Sequence, residues 1–167
     1  MLLPYFYAGA PMKQLETLKA EGKIEEARQH GLLQLIAHPR HAGLHYEVAC
    51  LHDNLGREAQ AIPLYQQAIA LGLADESLRG AWLGLGSSYR TTGQYPEALA
   101  AFEQGLARFP DANEFKVFRA MVCYNLGRNK EGMESLLAVL AETATDPALA
   151  PYRRAITLYA ADLDRRW

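Results

Sequence analysis

Cysteine is scarce in this chain of 167 residues: Cys50 and Cys123 are the only two. They exclude a disulfide framework, and without a C-x-x-C pair they exclude the common thiolate metal sites. Long apolar runs are missing too, since no stretch approaches the ~18–20 apolar residues that span a bilayer. The opening MLLPYFYAGA is apolar, but it has no basic residue ahead of it and is interrupted by Pro4. It does not read as a secretory signal. Nor is there an excess of basic charge. The formal net charge is −2, whereas a nucleic-acid surface needs clustered Lys and Arg to displace counterions from phosphates. These absences point to a cytoplasmic protein with neither a membrane nor a nucleic acid as partner.

Catalytic constellations are also absent. The serines at 77, 87, 88 and 135 fall in helical or capping contexts, with no strand-turn-helix nucleophile elbow. No G-x-x-x-x-G-K-[ST] or G-x-G-x-x-G phosphate loop occurs, and GLGS at 84–87 reads as close helix packing. Neighbouring carboxylates such as Glu25 with Glu26, or Asp162 with Asp164, do not converge on a helix and read as solvated faces. No enzyme activity and no cofactor are expected.

What the chain does have is a recurring punctuation mark. NLGR stands at 54–57 and again at 125–128, with TTGQ at 91–94 between them. Gly22, Gly56, Gly93 and Gly127 are separated by 34, 37 and 34 residues, an interval typical of stacked supersecondary units. Each lies between two helical patterns, where a residue free to take positive φ ends one helix and reverses the chain.

Around Gly93 the sequence supplies Trp82, Leu85, Gly86 and Tyr89, then Ala98, Phe102 and Pro110. This spacing resembles the tetratricopeptide repeat. Small Gly86 and Ala98 let two helices approach, the larger residues fill the space around them, and Pro110 stops the second helix. Asp111 and Glu114 have the spacing of a capping box for the next. The other units keep the frame: Ala49, Gly56, Ala61, Tyr65 and Ala68 in one, Ala120, Gly127, Leu136 and Val139 in another, and, less regularly, Leu15, Gly22, Ala27 and Pro39 in the first. Gly105 and Gly132 replace the usual alanines, so those helices are expected to be looser.

The resemblance implies an all-α, right-handed solenoid forming a single domain over 1–167. Its repeats fall at about 8–41, 42–78, 79–112 and 113–146, with a capping helix at about 147–166. Helices are expected near 11–21, 24–37, 41–55, 58–71, 76–92, 95–108, 112–126, 129–143 and 148–165. Three extra residues in LGLADESLRG are expected to lengthen the link before the third unit. Pro63 must sit in the first turn of its helix or kink it. Asp146-Pro147 reads as the start of the last helix, with a short turn and a start at Pro151 as the fallback. In that last segment Ile156, Tyr159, Ala160 and Leu163 recur at helical spacing, and a polar outer face suits a cap. Across the whole chain the arrangement resembles small stand-alone bacterial tetratricopeptide proteins that pair four such units with a C-terminal helix.

By the same resemblance the function is that of a scaffold holding a peptide or helix of a protein partner in a concave groove. The inward residues would be Tyr46, Cys50, Asp53, Asn54, Ser87, Arg90, Met121, Tyr124, Asn125 and Arg153. The Lys and Asn pattern of the chaperone-binding members is not present, because Met12, Glu16, Tyr46 and Cys50 stand there instead. Val117 and Phe118 could equally pack against the capping helix. Cys50 and Cys123, two units apart, would be separated by roughly 20 Å or more at 8–10 Å per helix, too far to pair.

Two other readings stay open. The apolar Leu2, Leu3, Tyr5, Phe6 and Tyr7 could cover a neighbouring copy and make the protein a homo-oligomer. His30, His38, His41, His45 and His52 cluster between 30 and 52. The i,i+4 pair His41 and His45 suggests metal binding or pH sensing, although a specific metal site needs further ligands and His45 occupies a packing position.

Overall fold

The computed structural model describes residues 12–166, and among them every regular element is helical. In chain order these are α1 (Lys13–Ala20), α2 (Ile24–Ala37), α3 (Ala42–Asn54), α4 (Glu58–Leu71), α5 (Asp75–Thr91), α6 (Tyr95–Arg108), α7 (Asn113–Asn125), α8 (Asn129–Thr143) and α9 (Arg153–Ala161). A one-turn 3-10 helix, Ala150–Tyr152, precedes α9. Packing divides the chain into two compact units, Met1–Ser88 and Tyr89–Trp167. In the first, α1 packs on α2, α2 on α3 and α3 on α4; in the second, α6 packs on α7, α7 on α8 and α8 on α9.

The four spaced glycines all adopt the left-handed conformation, with φ of 74°, 66°, 79° and 74° at Gly22, Gly56, Gly93 and Gly127. Each closes its helix in the same way. Gly56 N–H donates to the Asp53 carbonyl at 2.9 Å and Arg57 N–H to the His52 carbonyl at 2.9 Å; Gly127 and Arg128 do the same to Tyr124 and Cys123 at 3.1 and 2.8 Å. The paired bonds satisfy carbonyls that a helix end leaves without partners, and they turn the chain into the next helix.

In the first unit the core is built from Leu15, Ala27, Leu44, Val48 and Leu51, with Leu18, Ile24, Leu32, Leu35 and Leu64 packed around them. On α4, Ala61, Tyr65 and Ala68 are buried at i, i+4 and i+7, so one stripe of the helix faces inward. Pro63 is the sixth residue of α4, beyond the first turn. The carbonyl left without its donor belongs to Ala59, and Ala59 and Pro63 are both exposed, so that carbonyl is open to solvent rather than buried unpaired.

In the second unit Ala98, Ala101, Phe102 and Gly105 form the buried stripe of α6. Phe115 stacks on Phe109 with centroids 6.4 Å apart and meets Phe102 at 6.5 Å with the rings tilted by 60°. Phe118 packs on Phe102 at 6.0 Å, so its ring partner is α6. Gly105 does not loosen its helix. A Cβ there would overlap the Phe115 ring, and one at Gly132 would fall 2.9 Å from the Ala120 carbonyl oxygen. Both glycines are points of close helix approach.

Three further expectations are corrected. The link before the third unit is not lengthened: only residues 72–74 join α4 to α5, and the extra residues lie in α5, whose 17 residues match the length expected. Acidic Asp75 and Glu76 fall in the first turn of α5, where the helix dipole favours them. The capping box does not form, because α7 is capped at Ala112, which offers no side-chain acceptor. Asp146 does not start the last helix; its carboxylate accepts from Ala148 N–H at 2.8 Å in a turn. Pro151 has no N–H to extend a helix through it, so α9 begins after the 3-10 turn and ends at Ala161. The apolar residues 2, 3, 5, 6 and 7 lie outside the described residues.

Candidate functional site

Residues expected on the inward face divide into two sets with different surroundings. In the first unit, Tyr46, Cys50 and Asp53 fall on one side of α3, at spacings of four and three residues. The Tyr65 hydroxyl of α4 donates to Asp53 Oδ2 at 2.7 Å, and the Ser88 hydroxyl of α5 donates to Asp53 Oδ1 at 2.8 Å. Cys50 Sγ lies 3.5 Å from the same Tyr65 oxygen, and the Tyr46 and Tyr65 rings sit 6.2 Å apart. Glycines on α5 make room for both rings: a Cβ at Gly80 would overlap the Tyr46 hydroxyl, and one at Gly84 the Tyr65 ring.

Burial dominates the electrostatics of this cluster. It raises the Asp53 carboxyl above its ordinary value even though Tyr65 and Ser88 donate to it. It also raises the Cys50 thiol and the Tyr46 and Tyr65 phenols. Cys50 is therefore a protonated thiol, a weak nucleophile and a poor metal ligand. Tyr46, Cys50 and Asp53, all half-buried, thus take part in joining α3, α4 and α5. Asn54 remains exposed and Ser87 half-buried.

Sequence reasoning treated Tyr65 and Ser88 as packing and helix residues. The available signal was Tyr65 itself. It stands where Phe102 stands in the next unit, four residues after the small alanine, and a buried hydroxyl at that position needs a partner.

In the second unit, α7 presents Met121 and Tyr124 to solvent at 38% and 71% exposure. Beside them Arg90, at the end of α5, donates from Nε to Asn125 Oδ1 at 2.9 Å. Arg90, Met121, Tyr124 and Asn125 thus join an aromatic, a thioether, a cation and an amide. Arg153 is engaged elsewhere, donating to the Ala144 carbonyl just past the end of α8 at 2.9 Å. Cys123 is buried and Cys50 partly so, and both are free thiols.

The histidines have local roles. His41 Nδ1 accepts from Leu44 N–H and caps α3, and His45 Nε2 lies 2.9 Å from the Pro39 carbonyl. His52 is 5% exposed and its Nδ1 has no partner. Its basicity is lowered by burial first, then by the charges of Arg28 and Arg57. Among the described residues, no three His, Cys, Asp or Glu side chains come together as a metal site. No helix among them is long and apolar enough to cross a membrane.

Helical hairpins closed by left-handed glycines and packed through small residues define a helical-repeat protein of the solenoid class. The sequence model for the tetratrico peptide repeat matches residues 42–163, and the chain belongs to that family. The first hairpin, with Leu15 in the small site, lies outside the matched span. No protein of curated function matches the sequence. Among solved structures, YrrB, described as a TPR protein with an unusual peptide-binding site, shares 18% identity at a TM-score of 0.70, with 93% of this chain and 78% of YrrB covered. Repeats of a putative kinesin light chain from Podosopora anserina share 20% identity at a TM-score of 0.64, covering 93% and 86%. The Cut9-Hcn1 hetero-tetramer of the APC/C shares 18% at 0.67, where 88% of this chain spans 29% of the other. At these identities the likeness establishes the fold.

Proposed function

We propose that the protein is a non-enzymatic interaction module that holds a peptide or helix of a partner protein on the exposed side of α7. The observation that carries this reading is Tyr124, 71% exposed beside Met121 and next to the hydrogen-bonded Arg90–Asn125 pair. Exposed aromatic and thioether surface bordered by a guanidinium and an amide has the composition of an interaction centre. Of the residues expected inside a groove, Met121 and Tyr124 are exposed and the bonded Arg90 and Asn125 half-buried, while Tyr46, Cys50 and Asp53 contact neighbouring helices. The peptide-binding site attributed to YrrB makes a peptide the first partner class to test. A cytoplasmic location belongs to the same reading.

The experiment is site-specific photocrosslinking in the native cell, with a benzophenone side chain in place of Tyr124 and, separately, in place of Gln104 on the exposed side of α6. A discrete adduct from position 124 that is missing from 104 supports the reading. Equal adducts from both positions, or adducts from 104 alone, reject it.

A second reading is self-association through α8 and α9. Met133, Leu136 and Leu140 form an exposed stripe on α8, and Tyr152 in the 3-10 turn and Tyr159 on α9 are exposed at 63% and 46%. Apolar surface of this kind is a contact face in many assemblies. Sedimentation velocity across a concentration series tests it: a rising sedimentation coefficient that Leu136→Glu abolishes supports self-association, and a constant monomer coefficient rejects it.

A further inference from the structure

Among the described residues, the half-buried lysines and arginines other than Arg90 each have a carboxylate. Lys19 pairs with Glu47, Arg28 and Arg57 with Glu25, Lys116 with Glu142, and Arg119 with Glu131, all within 3.9 Å. Arg90 is half-buried as well, yet its recorded bond is to a neutral group, Asn125 Oδ1. Partial burial makes an uncompensated charge costly, and a chain that pairs its other half-buried cations leaves this one without an acid.

The bond to Asn125 also fixes orientation. With Nε donating to Oδ1, the amide must present its NH2 group elsewhere, and the guanidinium keeps its terminal N–H donors for another acceptor. Asn125, which holds Arg90, follows Tyr124 in the chain and stands one helical turn after Met121, so α7 supplies exposed apolar area close to the pair. A planar cation held by a side-chain amide is suited to a carboxylate, which can take two of its N–H bonds at once.

We infer that the α7 face recognises an acidic segment of a partner protein, in which an Asp or Glu side chain pairs with Arg90 and a neighbouring apolar residue packs on Tyr124 and Met121. This inference rests on the interaction reading given above and narrows it to one partner chemistry. Charge complementarity selects the occupant, since Arg90 lacks an acid within the described residues and a neutral or basic segment would leave it unpaired.

The test uses arrays of short synthetic peptides, each carrying one Tyr or Leu and one Asp at varied spacing, beside matched arrays with Asn in place of Asp. The full-length wild type, Arg90→Gln and Arg90→Lys are compared. Circular dichroism and thermal unfolding verify that each variant is folded. The wild type is expected to bind its best Asp peptides about tenfold more tightly than their Asn counterparts, the order of a hydrogen-bonded charge. Arg90→Gln is expected to remove that preference, Arg90→Lys to retain part of it, and added salt to narrow it. Equal binding of Asp and Asn peptides by the wild type, or a preference that survives Arg90→Gln, overturns acid recognition while leaving the α7 face as a binding surface. Binding of neither array by the wild type overturns both. The comparison within the wild type stands even where a variant fails to fold.

Discussion

Phe115 is fully buried between Phe102 and Phe109, and its ring occupies the space where Gly105 would otherwise carry a Cβ. Alanine gains about 1 kcal/mol of helix propensity over glycine, but here the added methyl would meet a ring with nowhere to move. Gly105→Ala is therefore expected to destabilise the protein by about 1–3 kcal/mol, as overpacking does elsewhere, and urea unfolding measures it. From the sequence Gly105 looked like a weak point, because a glycine in a helix shows its backbone cost and conceals what packs against it. His52 supports a second residue-scale expectation. Burial and the charges of Arg28 and Arg57 hold its folded pKa below its ordinary value. The unfolded chain then binds more protons at mildly acid pH, so stability is full above about pH 6.5 and falls as pH drops through that value toward the folded pKa. Asp53, raised by burial, has the opposite sign. The difference between wild type and His52→Gln isolates the histidine. Thermal midpoints between pH 5 and 7 are expected to fall for the wild type and to change less for the variant. A variant curve parallel to the wild type contradicts the assignment.

At the scale of elements, the turns were the most legible feature. Gly22, Gly56, Gly93 and Gly127 each carry positive φ, because a left-handed helix end favours one residue type and so leaves a mark in sequence. The helix pairs beside those turns fell within a residue or two of expectation for the same reason. Where no single residue type is demanded, the sequence was a poorer guide. The length added before the third unit went into α5 because its first residues suit a helix start, and α9 was shortened by Pro151 at one end and by contacts to α8 at the other. Lys130 of α8 bonds Asp162 and Asp164 at 2.7 Å each, and Leu163 N–H donates to Glu134 Oε1 at 3.0 Å. These contacts tie the residues after α9 to α8. They are exposed and open to salt screening. Lys130→Ala is expected to speed amide exchange at 162–166 with no change in the overall thermal midpoint. An unchanged exchange rate there means that the lysine does not hold the segment.

For the whole molecule, the class of function was legible and the place of recognition was less so. Repeat spacing implies a solenoid, and a solenoid implies an interaction surface, but inward register alone did not separate Asp53 from Asn125. Partners made the difference. Tyr65 and Ser88 reach Asp53 from other helices, whereas Tyr124 keeps most of its surface and Arg90 bonds an amide rather than an acid among the described residues. The claim that recognition lies on α7 is tested most directly by affinity capture from the native extract, comparing wild type with the double variant Arg90→Glu, Tyr124→Ala after both are shown to be folded. Recovery of a specific protein by the wild type and its loss from the double variant is the expected result. Equal recovery by both would contradict the account and move recognition off this face.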